Sequence, residues 1–296
     1  MANFRDVRLR MRAIRQTLQV TKAMNLISTA KLRKGRRMLE DAEPYFTRIQ
    51  KSMFDILSGA GKVESNFFRE VSPDKPTRTA IVAITSDKGL AGGYNANIFR
   101  QVNDLCSRVK NPLLILIGSI GYRYFVHSPY VILENFSFRS QIPTVENARE
   151  ISEYLVSQYL WGMFDEVHIV YTHMYSAVRL LPSERQVLPL DVKKIQEELY
   201  SAGNVKRVRL DFEFLPSAGE VFDTLVPMYI KGIIYGCLVE AYASEQSARM
   251  SAMDEASKNA EDMLADLQIS YNRARQAGIT QEMSEIAGGF AALADK

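Results

Sequence analysis

The chain has 296 residues, 47% of them hydrophobic and 24% charged, with a net charge of only +3. That is ample apolar material for one or two domains with a buried core. Its two cysteines, Cys106 and Cys237, lie far apart with no CxxC spacing, which excludes a disulfide framework and fits a reducing compartment.

The N-terminus, MANFRDVRLRMRAIRQ, lacks the apolar core of a secretory signal. It is basic and amphipathic like a mitochondrial transit peptide, yet it contains Asp6, has no serine before Ser28, and runs on without a cleavage break. Residues 3–57 are instead predicted as one helix. Ile14, Leu18, Thr21, Asn25, Ser28, Leu32, Gly35 and Leu39 recur in alternating steps of four and three, the seam of a coiled coil. Gly35 is tolerable there at about 1 kcal/mol against alanine. Pro44 is expected to kink or restart the helix, because its ring removes a backbone hydrogen bond.

Residues 58–78 read as a loop from their Gly, Ser and Pro content. A different pattern follows. TAIVAIT (79–85), LLILIG (113–118), YVILENF (130–136) and EVHIVYTHM (166–174) are predicted strands, with helices over 95–110 and 144–160 between them. The alternation argues for an α/β sheet with parallel pairing. A last strand pair is expected within 185–214, at RQVLPL and VRLDFEFL, after which Pro216 and Gly219 mark entry to a final helix.

That final helix has no Gly or Pro from Leu238 to Ala277. Met253, Ser257, Ala260, Leu264, Leu267, Tyr271, Ala274 and Gly278 repeat every 3.5 residues, so the helix should supercoil left-handedly against a partner. At about 1.5 Å per residue the run spans roughly 60 Å. Charge matches the two helices. Residues 1–40 carry eleven Lys or Arg against Asp6 and Glu40, while residues 240–296 carry five basic and ten acidic side chains. Both helices adjoin the same α/β domain, so they should run antiparallel, with the C-terminal end overhanging as a single helix. No apolar run reaches the 18 or so residues of a membrane span. The expected fold class is α/β plus a long antiparallel coiled coil of the N- and C-terminal helices around a Rossmann-like central domain. The domains would be 1–58, 77–215 and 216–296.

Chemistry is sparse. SDKGLAGGYN (86–95) is a glycine-rich turn after a strand, but it is neither GxGxxG nor GxxxxGK[ST], and it reads as a tight turn. His168 and His173 sit five apart on one predicted strand, hence on opposite faces, which argues against a shared metal; His127 is remote. No catalytic pairing and no cofactor is expected. Nucleic-acid binding by the basic helix is disfavoured, because its charge is interleaved with the seam and balanced by the acidic helix. A coiled-coil adaptor without catalytic partners stays open.

Three blocks carry a family likeness: TKAMNLISTAKLRK (21–34), SDKGLAGGYN (86–95), and SEQSARMSAMDEASKNA with YNRARQAGITQEMSEIAGGFAAL (244–260 and 271–293). In order and over nearly the whole length, the chain resembles the gamma subunit of F-type ATP synthases. The resemblance implies a non-catalytic rotor shaft in a ring of three alpha and three beta subunits, with the α/β domain beside the epsilon subunit and the c-subunit ring. It implies rotor–stator contacts at Lys22, Met24, Arg249, Arg275, Gln276 and Thr280. It also implies a peripheral place on the cytoplasmic face of a bacterial inner membrane, touching the membrane only through the c ring, and no nucleic acid. Two positions depart from the family pattern: Ala91 replaces the usual Cys, and Leu215 stands where an acidic residue often precedes the proline.

Overall fold

The computed structural model describes residues 4–59, 63–68, 77–137, 142–176, 179–191, 215 and 217–294, with side chains in the last stretch described to Ala287. Two long helices dominate, α1 (Phe4–Gly59, 56 residues) and a C-terminal helix of 77 residues, Ala218–Ala294. Each contributes to two compact units, one of residues 1–29 with 249–296 and the other of residues 30–248.

The larger unit contains a five-stranded sheet of β1 (Arg78–Ile84), β2 (Asn111–Ile117), β3 (Val131–Phe136), β4 (Glu166–Met174) and β5 (Leu180–Leu188), in the order β3-β2-β1-β4-β5. The first four strands pair in parallel, as the alternating pattern predicts. β5 differs and runs antiparallel to β4. The reason is chain length: β4 ends at Met174 and β5 starts at Leu180, whereas a parallel neighbour would need a crossover of a dozen or more residues. The expected partner strand at VRLDFEFL lies outside the described residues.

Helices α2 (Tyr94–Arg108), α3 (Ser119–Phe125) and α4 (Val145–Leu160) complete the layer; the long C-terminal helix is α5. α4 starts where expected, on a capping box: Thr144 Oγ1 accepts from Asn147 N at 3.1 Å and Asn147 Oδ1 accepts from Thr144 N at 3.0 Å. α3 is an element that the sequence reading left out. α5 begins after Ser217, whose Oγ accepts from Glu220 N at 3.2 Å, satisfying an otherwise orphan donor.

Alternation along the strands feeds two cores. Ile81, Ala83, Leu114 and Leu116 face α2 and α3 through Ile98, Val102, Leu105 and Phe125. Ala80, Val82, Ile115 and Ile169 face α4 together with Met53 of α1 and Phe222 and Ile230 of α5. The two long helices are therefore half of this second core. That corrects the reading of the chain as having no span-length apolar stretch: α5 contains an 18-residue window of mean hydropathy 1.3 with no more than two charges, 56% of it buried in the protein. It is apolar because α1, α4 and the sheet cover it.

α1 runs through Pro44 without a break, so the predicted restart does not occur. Met38, Ala42 and Phe46 on either side of it pack against the core. The seam itself shifts here. Leu39 is exposed, while Leu32 and Gly35 are buried and Met38 is half-buried. Two successive steps of three overwind the helix locally and carry the stripe off Leu39. A Cβ at Gly35 would sit 3.2 Å from Tyr242 and 3.3 Å from Ala243, so glycine sets the closeness of the two helices.

Both cysteines are free and buried. Burial pushes the Cys106 thiol up to about 11 and the Cys237 thiol up to about 12. Alkylation requires thiolate. In the folded protein both should react with iodoacetamide at pH 8 on the order of a hundredfold slower than a free thiol, and at the ordinary rate in denaturant. Mass spectrometry of native and denatured samples checks this.

Candidate functional site

The smaller unit is built from two helical segments, residues 4–29 of α1 and residues 249–294 of α5. Burial on α5 follows the 3.5-residue repeat. Met253, Ser257 and Ala260 are buried, Leu264, Leu267, Tyr271 and Ala274 are half-buried, and the intervening outward positions are exposed. Gly278 is exposed, so the seam ends at Ala274. On α1 it begins earlier than the sequence reading set it, at Val7 and Met11, then continues through Ile14, Leu18, Thr21, Asn25 and Ser28.

The pairing is antiparallel, with the Phe4 ring tilted against that of Tyr271 (centroids 4.9 Å apart) and Thr21 beside Ser257. Three polar groups fix the register. The Thr21 and Ser257 hydroxyls lie 2.7 Å apart, one donating to the other while the second donates to a carbonyl of its own helix, at Leu18 or Met253. Asn25 Nδ2 donates to Met250 O at 3.1 Å. Buried polar pairs are satisfied in one alignment only, so they specify register where alanines and serines alone would slide.

The expected contact residues are distributed along this pair and form no single pocket. Lys22 Nζ meets Glu261 Oε1 across the seam at 2.6 Å, with both side chains more than half exposed. Such a pair contributes at most about 1 kcal/mol in water. Met24 is half-buried and Arg249 is buried. Arg275, Gln276 and Thr280 are exposed, and Thr280 Oγ1 donates to Gln276 O at 3.0 Å within its own helix. From Arg249 to Gln276 the helix rises roughly 40 Å. From Arg275 to Ala287 every side chain is exposed.

One feature of this unit escaped the sequence reading. A groove of about 690 Å³ is lined by Arg5, Arg8, Arg12 and Arg15 of α1, with Gln268 and Tyr271 of α5 on its other wall. The arginines step by three, four and three, which places them along one helix face. Their spacing was visible in the sequence; the groove was not, because it needs the opposite helix.

The rival site, at the glycine-rich turn, lies in the larger unit. β1, β2 and β3 end at a crevice beside the point where the strand order reverses, the place where such sheets hold ligands. Here the turn is tied to itself: Asn95 Oδ1 accepts from Ser86 N at 3.0 Å, and Asn95 Nδ2 donates to Ser86 Oγ at 2.7 Å. Gly92 takes a left-handed φ of 55°, the conformation a glycine supplies without strain. Asp87 Oδ1 accepts from Ser119 N at 2.9 Å, so a carboxylate already occupies the start of α3. Leu238, Ala241 and Tyr242 of α5 roof the crevice, leaving a hollow of about 70 Å³. Ligand pockets run to about 300 Å³ or more, so this hollow is smaller than a nucleotide site. His168 and His173 also separate as their spacing implies: His168 Nδ1 lies 3.0 Å from Glu184 Oε1, His173 Nδ1 2.5 Å from Glu240 Oε1.

Comparison with known proteins adds three findings. The ATP synthase family model matches residues 3–293. The ATP synthase gamma chain of Ruminiclostridium cellulolyticum is 44% identical over 292 residues, covering 98% of this chain and 99% of its own, and the sodium-ion-specific gamma chain of Acetobacterium woodii is 36% identical over 307 residues with 98% and 99% covered. Among solved structures, a chain of the Euglena gracilis mitochondrial ATP synthase superposes with a TM-score of 0.65 at 16% identity, covering 98% of this chain and 94% of that one.

Proposed function

This chain belongs to the gamma-chain family of ATP synthases, the non-catalytic central-stalk subunit of the F-type enzyme, and from that premise we propose how its parts work. The paired helices act as an off-centre axle in a ring of three alpha and three beta subunits. The α/β layer meets the epsilon subunit and the c-subunit ring, through which ion flow turns the chain. The assembly lies on the cytoplasmic face of a bacterial inner membrane and touches the membrane only through the c ring.

The observation that supports this reading is the register-locked antiparallel pair, whose sides differ in chemistry. A rotor shifts a catalytic subunit between states only if it contacts those states with different free energies. One asymmetric pair facing three identical subunits gives each of them a different side. Lys22, Met24, Arg249, Arg275, Gln276 and Thr280 are the contacts we assign to the stator, at separate levels, and the groove of Arg5, Arg8, Arg12 and Arg15 suits an acidic segment of it.

Affinity purification of the tagged chain from its host tests the assignment. Recovery with alpha and beta subunits in a 3:3:1 ratio is expected; recovery without catalytic subunits would make it a coiled-coil adaptor. Truncation probes the tip. Removing residues 287–296 leaves the whole seam intact, because the seam ends at Ala274. The coupled ATPase of the assembled complex should then change by less than about threefold, as for loss of surface positions in general.

A further inference from the structure

At one level, residues 240–244, α5 is clasped between α1 on one side and the C-terminal rim of the sheet on the other. Ala241, Tyr242, Ala243 and Ser244 are all buried there. On the α1 side Gly35 lies against the Tyr242 ring and the Ala243 methyl. On the sheet side the contact is directional. Tyr94 Oη donates to Ala241 O at 3.3 Å, and Ser244 Oγ donates to Thr172 O at 2.9 Å. Glu240 Oε1 accepts from Met174 N at 3.1 Å and lies 2.5 Å from His173 Nδ1.

Interdigitated apolar side chains resist turning of α5 by their bulk, and directional bonds add an angular preference to that resistance. Hydrogen bonds depend steeply on angle and distance. Turning α5 about its own axis by one residue, about 100°, would break every one of these bonds. We propose that Tyr94, His173, Glu240 and Ser244 form an angular lock, which fixes the rotational setting of α5 against the α/β layer and carries torque between them. Torque entering the sheet reaches α5 at this rim and continues along the same helix into its remaining residues. The inference rests on the rotor reading given above. These side chains touch neither nucleotide nor stator in it; they position the helix that does.

The test uses the fully assembled, membrane-embedded complex with Tyr94→Phe, Glu240→Ala and Ser244→Ala combined. Removing these directional bonds should raise the population of rotationally slipped states about a hundredfold. Ion pumping per ATP hydrolysed against an opposing gradient should fall severalfold, and a probe on the α/β layer of a complex stalled by its ring should fluctuate over a wider angle. Hydrolysis by the membrane-free complex should stay within about twofold of the unaltered protein, since slip at this rim does not stop the helices turning in the ring. A merely structural role would lower thermal stability, hydrolysis and pumping together. Unchanged pumping and unchanged angular spread would overturn the lock. If the triple variant assembles poorly, Ser244→Ala and Tyr94→Phe alone should each widen the spread, and a spread equal to that of the unaltered chain in both overturns it as well. Failure of the unaltered complex to rotate would instead sink the rotor reading.

Discussion

Ala260→Pro should reduce the coupled ATPase of the assembled complex by on the order of a hundredfold, with little loss of the α/β layer. Ala260 is buried in the seam of the smaller unit, in the first third of its α5 segment. Proline there removes the N–H that bonds the carbonyl of Ala256 and drives its ring into that carbonyl, at about 3 kcal/mol or more. The bend also takes Leu264, Leu267 and Tyr271 out of line with α1. Two prolines already lie inside the long helices, Pro44 and Pro227, and both are tolerated. Both belong to the larger unit, where the sheet-facing core of Met53, Phe222 and Ile230 braces the helices from outside. The smaller unit has only the two helices to brace each other. ATP hydrolysis, with circular dichroism to show that helix and sheet persist, measures the effect.

Gly232→Leu should lower the stability of the larger unit by about 3 kcal/mol, several degrees in thermal midpoint. A Cβ built at Gly232 lies 2.2 Å from Phe46 Cδ1 and 2.6 Å from Cε1, so the Phe46 ring must leave its place on α5. That ring packs against the core, 6.0 Å from the Tyr235 ring. Helix propensity pulls the other way by about 1 kcal/mol and is too small to compensate. Two comparisons isolate the cause. Combining Gly232→Leu with Phe46→Ala should recover part of the loss, because the two positions share one space. Gly236→Ala, one turn on, meets nothing within 4 Å and should gain up to about 1 kcal/mol. Equal losses at both glycines would refute the steric argument.

Much of the architecture could be read from the chain because several of its signals are local. The α5 seam from Met253 to Ala274 matches its predicted positions, since small residues on one stripe and charges elsewhere leave one face to bury. β4 has the predicted ends, Glu166 and Met174. The misses have tertiary causes. β5 begins at Leu180 and contains Pro182, which a central strand would reject; among the described residues β5 is an edge strand, and Pro182, opposite Thr172, does no harm there. α3, SIGYRYF, is too short to show a helical period, and its start is fixed by Asp87 from a different loop. Leu39 continues the step rule but not the physical stripe, which the closely packed Gly35 region diverts to Met38. The arginine groove and the rim bonds at Glu240 and Ser244 join residues tens of positions apart, and no pattern along one segment could reveal them.

The most direct test of the central claim is ATP-driven rotation of the assembled complex with the seam covalently closed by Thr21→Cys and Ser257→Cys. These hydroxyls lie 2.7 Å apart, and the native Cys106 and Cys237 are buried away from the oxidant. If α1 and α5 turn as one antiparallel axle, rotation continues at its usual rate after oxidation. Rotation that stops on oxidation and returns on reduction would mean that the two helices must move past each other, and would contradict the account.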